Sequence, residues 1–257
     1  MHDTLIGLGT LIGWVGAGRP KKGAVGGALM LASALLLASC ASTAPGPSAA
    51  NDEYVLVTLR SGPDPTGRSD ADRAAIQAAH LANIRRLAEE HKLLVAGPYG
   101  KVNHDPTARG IFILNVRSFD EARAITKTDP AVIDGVLAMD LESLRTDADL
   151  RAALDAELAV NAEVKRAGGE RPMGEGMRTY IVLRADDGAQ AARALDRILP
   201  PNTIVVGGRV DGTRGFFILD ATDPSTVRGW IAKEPDALGP CTLDEWYGSA
   251  LLVRAMR

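Results

Sequence analysis

The 257-residue chain lacks the residue groupings that announce a cofactor, a metal or a nucleic acid. It has two cysteines and four histidines, and none falls into the paired spacing of a zinc or iron–sulfur site. No glycine-rich phosphate loop and no dinucleotide fingerprint is present. The net charge of −3 is spread without a basic stripe, which excludes the electrostatic footprint of a nucleic-acid binder. Neither a cofactor, a metal nor a nucleic-acid partner is therefore expected. The longest uncharged apolar run, Gly23 to Ser39, falls short of the about 20 residues that a membrane span needs.

That run has another reading. In "GRPKKGAVGGALMLASALLLASCAS" a basic cluster (Arg19, Lys21, Lys22) precedes the apolar stretch, which ends on Leu37-Ala38-Ser39-Cys40. Basic, apolar and small-residue zones in that order make a secretory signal. Ending on a cysteine, the segment resembles the lipobox of a bacterial lipoprotein, with residues 1–39 as signal peptide and Cys40 as the lipidated residue. Residues 40–52, rich in Pro, Ser and Ala, read as a tether. Removing residues 1–39 takes away three basic charges and one acidic charge, so the net charge moves from −3 to −5. Lipidation would leave Cys241 as the one free thiol and exclude an intrachain disulfide. Ala41 after the cysteine, in place of an acidic residue, implies the periplasmic face of the outer membrane.

Beyond the tether the sequence repeats itself. "RGIFILN" (109–115) recurs as "RGFFILD" (214–220), and "KLLVAGPYG" is matched by "NTIVVGGRV". Each half opens with an apolar strand, "EYVLVTLR" and "RTYIVLRA". The first half reads as strand (54–59), helix (72–91), strand (93–97), strand (110–116), helix (119–127), short helix (130–135) and strand (137–144). Ser118 and Glu121 form the signature of a capping box at the second long helix. The order βαββαβ is ferredoxin-like. The expected fold class is α+β: one domain at 53–146, a helix and linker at 147–177 that stops at Gly168-Gly169, and a degenerate second domain at 178–257. The open sheet faces of the two should pack together as an intrachain pseudo-dimeric α+β barrel, with Trp230, Trp246 and Tyr247 as candidates to close it.

His80 shares a helical stripe with Ile76, Ile84 and Leu87, so it faces the sheet. A buried imidazole beside a carboxylate is oriented by it and can move a proton near neutral pH. His80 is equally explained as a hydrogen-bonded core residue. Asp129 before Pro130 is an N-cap with Pro at the first helical position, and Gly97-Pro98 is a tight turn. His91 and His104 read as solvated loop or terminus residues, with His104-Asp105 alternatively bordering the cleft. Arg109 and Arg214 stand at matched strand starts, as anion receivers or as polar strand ends.

The residues from Glu53 to Leu144 resemble the YCII-related family: a helix bearing a histidine (His80), Gly97-Pro98, the apolar strand Ile111–Leu114, Ser118 with Ala122, and Asp129-Pro130. Members are small ferredoxin-like domains that usually dimerise. The resemblance implies a His80/Asp129 pair as a catalytic site, with dehydrochlorinase-like (lyase) acid–base chemistry on a small molecule, and Gly97, Pro98 and Arg109 beside the substrate. In the second half the position of His80 falls at Gln190 or Ala191, and that of Asp129 at Pro235. One pocket per chain is then expected. The alternative is a non-catalytic binding or structural lipoprotein whose pocket is vestigial.

Overall fold

Alternation along β1 (Asp52–Ser61) sends Val55, Val57 and Leu59 to one face and Tyr54, Leu56 and Thr58 to the other. Both faces are buried, so this strand needs cover on two sides. The computed structural model describes residues 52–63, 67–172 and 174–256. The expected signal peptide, Cys40 and the tether as far as residue 51 lie outside the described residues. After β1 come α1 (Asp70–Glu89), β2 (Leu93–Pro98), β3 (Ala108–Leu114), α2 (Phe119–Thr126), α3 (Pro130–Ile133) and β4 (Leu137–Thr146). Then follow α4 (Leu150–Arg166), β5 (Met177–Ala185), α5 (Gly188–Ile198), β6 (Ile204–Val210), β7 (Arg214–Leu219), α6 (Pro224–Ile231) and β8 (Cys241–Ser249), with a 3₁₀ turn at Ala250–Ala255.

The eight strands form one antiparallel sheet in the order β2-β3-β1-β4-β6-β7-β5-β8. The sheet nearly closes into a barrel, because Tyr99 just past β2 bridges Trp246 of β8. Gly100 N–H donates to the Glu245 carbonyl (2.7 Å), and the Trp246 indole N–H donates to the Gly97 carbonyl (2.9 Å). The second seam joins β4 to β6 through Leu144 opposite Val210, Arg145 opposite Arg209, and Thr146 opposite Gly208.

The register of the second half follows that of the first. Leu56 faces Ile113 in β1–β3, and Val182 faces Ile218 in β5–β7. A bulge between Leu93 and Val95 recurs between Ile204 and Val206. Tyr54 opposes Leu144, and Tyr180 opposes Trp246. Such agreement in register makes one seam the geometric counterpart of the other.

The barrel interior is filled by Leu56, Ile111, Ile113, Leu144, Tyr180, Val182, Phe216, Ile218 and Trp246. Burying each large apolar side chain contributes roughly 1.5–3 kcal/mol. Leu150, Ala153 and Leu154 of α4, with Leu252 and Ala255 of the 3₁₀ turn, join this core. Outside the barrel, Val55, Val57, Phe112 and Leu114 pack with Leu87 of α1 and with Ala122 and Ile125 of α2. Ile181, Leu183, Phe217 and Leu219 pack with Ala191, Ala194 and Leu195 of α5 and with Val227 of α6.

Where β1 and β5 finish, the interior turns polar. Arg184 donates to Glu142 Oε2 (3.0 Å) and to Thr58 Oγ1 (3.1 Å), with its guanidinium 5.5 Å from the Phe216 ring centre. This half-buried ion pair crosses from the second half to the first.

Candidate functional site

Helix α1 starts at a reciprocal capping box: Ser69 Oγ accepts from Asp72 N–H, and Asp72 Oδ2 accepts from Ser69 N–H. Its buried residues are His80, Asn83 and Leu87, which share one stripe. His80 therefore points at the sheet, as its spacing predicts, and stacks on Phe112 with ring centres 6.1 Å apart. Phe112 belongs to the layer between sheet and helices. The imidazole thus sits on the helix-covered side of the sheet, outside the barrel.

Asp129 arrives from the turn after α2. It caps α3, with Oδ1 accepting the Ala131 N–H at 2.9 Å and Pro130 at the first helical position. The same carboxylate takes His80, whose Nδ1 lies 2.9 Å from Oδ1 and 2.8 Å from Oδ2. A carboxylate only accepts, so Nδ1 carries the proton and Nε2 of the neutral ring is left with a lone pair. His80 is 8 % exposed and Asp129 1 %.

One turn on, Asn83 Oδ1 accepts from Arg86 (2.8 Å) and from Thr128 Oγ1 (3.3 Å). Those two donors orient the amide. Its Nδ2 is buried and has no hydrogen-bond partner among the described residues. A buried donor left open costs about 1–3 kcal/mol, so it is a place where an acceptor would be welcome.

The other residues expected near substrate go elsewhere. Gly97 lies at the closing seam, where its carbonyl takes the Trp246 indole and an added Cβ would come 2.7 Å from the Trp246 ring. Close packing explains this glycine. Pro98 pairs with Gly110 in the β2–β3 ladder, and Arg109 Nε donates to Ser61 Oγ at 2.7 Å. None of these hydrogen bonds reaches His80 or Asp129. Arg214, the counterpart of Arg109, pairs with Glu142 (2.8 Å) and Asp211 (2.7 Å). His91 stands at the end of α1 with Nδ1 3.7 Å from Asp155.

Sequence reading passes over a second imidazole–carboxylate pair. His104 Nδ1 lies 2.9 and 2.7 Å from the two oxygens of Asp244, whose Oδ1 also accepts the His104 backbone N–H at 2.7 Å. Asp244 is fully buried. The signal was present in the length of the loop carrying His104, which has no equal in the second half. Among the described residues no group of three or more His, Cys, Asp or Glu could hold a metal ion.

A family profile described as YCII-related domain matches residues 54–142, so the chain carries a YCII-related domain over β1 to β4. No curated protein and no solved structure matches the chain.

Proposed function

We propose that the YCII-related domain holds a small-molecule site at His80 and Asp129, where the imidazole moves a proton under the control of the carboxylate. The observation that carries this reading is the double contact of His80 Nδ1 with Asp129, 2.8 and 2.9 Å. It fixes ring and tautomer and leaves Nε2 as a base. Abstraction of a proton from substrate carbon or hydroxyl, followed by departure of a leaving group, is the lyase-type step this arrangement suits. The open donor of Asn83 supports it as a group that would meet a substrate acceptor.

A second reading, a non-catalytic binding or structural module, draws on the burial of the pair and on the capping role of Asp129. The two readings separate by ¹⁵N NMR of the histidine ring under a fragment screen. The catalytic reading expects compounds that perturb His80 saturably and lose their effect in Asp129→Asn. A ring that no compound reaches would leave the pair structural.

The same proposal includes two ferredoxin-like units, the second a degenerate copy that lacks the pair. The matched registers and matched bulges support this duplication. It also includes a lipid anchor at Cys40 on the periplasmic face of the outer membrane, supported by the order of basic, apolar and small residues before that cysteine. Metabolic labelling with palmitate tests the anchor: label should be incorporated by the natural chain and absent from Cys40→Ser.

A further inference from the structure

Between β2 and β3 the chain runs through residues 99–107, whereas between β6 and β7 it needs only residues 211–213. The longer loop leaves its own half and lies along β8. Glu245 N–H donates to the Val102 carbonyl (2.7 Å), Lys101 N–H donates to Glu245 Oε2 (2.9 Å), and His104 is seated on Asp244. The buried Asp244 carboxylate accepts both the backbone and the ring of His104, so the imidazole is locked in place.

This imidazole differs from His80 in being reachable. The His104 side chain is 48 % exposed, against 10 % for His80. Beside it opens a cleft of about 480 Å³, lined among others by Arg228 and Ile231 of α6 and by Cys241, Thr242 and Leu243 of β8. That volume is in the range of small-molecule sites. No carboxylate side chain lines it, in a chain whose net charge is −3. The Thr242 hydroxyl is buried and has no hydrogen-bond partner among the described residues. Arg228 has no ion pair among the described residues and stands exposed at the rim. Burial, with Asp186 nearby, pushes the Cys241 thiol up, so the cysteine is a wall of the cleft and not its nucleophile.

We propose that this cleft is a second ligand site, taking a small organic carboxylate with a short apolar body. Arg228 and the His104 ring meet the carboxylate, with Nδ1 serving Asp244 and Nε2 turned to the ligand. Thr242 offers a further hydroxyl. Ile231 and Leu243 face the apolar body. The site is assembled from both halves of the chain, and the short turn at 211–213 provides no equivalent at the other seam.

Butyrate is the probe. The full chain is labelled with ¹⁵N-histidine, His104 is assigned through His104→Gln, and butyrate is titrated in alongside 1-butanol as the uncharged control. A saturable shift of the His104 ring signals, with His80 unmoved and no response to butanol, is the expected result. Arg228→Gln should weaken the apparent affinity by about tenfold, the loss of one charge-assisted contact. The proposal is overturned if His104 does not respond, if butanol acts as butyrate does, if Arg228→Gln binds unchanged, or if butyrate moves His80 instead.

Discussion

Trp246 and Leu144 hold the same place in the two seams of the barrel: Trp246 opposes Tyr99 where β8 meets β2, and Leu144 opposes Val210 where β4 meets β6. Both side chains are fully buried. The indole does more than fill space, because its N–H also ties the Gly97 carbonyl across the gap.

The closing seam should therefore be the more sensitive to truncation. Trp246→Leu, which copies the residue of the other seam, should cost about 3 kcal/mol from lost volume and the lost hydrogen bond. Gly97→Ala should cost about 1–3 kcal/mol, because its Cβ would run into the Tyr247 carbonyl and the Trp246 ring. Urea denaturation curves of the variants check both values, and an unchanged midpoint for Gly97→Ala would mean that the seam yields.

Asp129 serves a helix end and an imidazole at once, and two substitutions separate the duties. Asn can still cap α3, so Asp129→Asn should lower stability by about 1 kcal/mol or less. Asp129→Ala removes the cap and leaves His80 Nδ1 unpaired, a combined loss of about 2–3 kcal/mol. Thermal and urea unfolding should rank natural chain, Asn and Ala in that order.

Arg184 and Glu142 form an ion pair inside the barrel, supplied by opposite halves. The pair is half-buried and Glu142 keeps Arg214 at 2.8 Å, so Arg184→Met should destabilise by about 1–3 kcal/mol through its lost charge-assisted hydrogen bonds. Glu142→Gln should then cost less in that background than in the natural chain. A double-mutant cycle reads the coupling, and strict additivity would show that the two side chains act independently.

Alkaline pH should weaken the fold through its tyrosines. Burial pushes the Tyr180 phenol up to about 12, from an ordinary 10.0. Below pH 10.0 folded and unfolded chains both hold the proton, and the contribution is complete. Between there and pH 12 the unfolded chain ionises first, so stability falls as pH rises. Burial raises Tyr99 and Tyr247 as well. Tyr180→Phe should flatten this decline without abolishing it, as followed by urea unfolding at about pH 9 and about pH 11.

Much of the molecule was legible in one dimension because its signals are local. The alternation in "EYVLVTLR", the stripe through His80 and Leu87, and proline after Asp129 each act within a few residues, and β1, α1 and α3 follow them closely. "RGIFIL" and its recurrence as "RGFFIL" fall on β3 and β7 of one eight-stranded sheet. The capping box expected at Ser118 contributes its hydroxyl to Glu121 N–H, while the full reciprocal box forms at Ser69 and Asp72.

What escaped depends on groups that meet only after closure. Tyr99 with Trp246, Arg184 with Glu142, and His104 with Asp244 are joined across the two halves, and no periodicity records such pairs. Gly97-Pro98 stood beside substrate only through the family resemblance; the groups that approach Gly97 are the Tyr247 carbonyl and the Trp246 indole. His104 looked solvated because the strand that receives it lies far along the chain.

Both seams join strands of one polypeptide, with α4 between the halves packed into the core they share. Assembly of the cylinder is then a first-order event, and dilution has no power to separate its two walls.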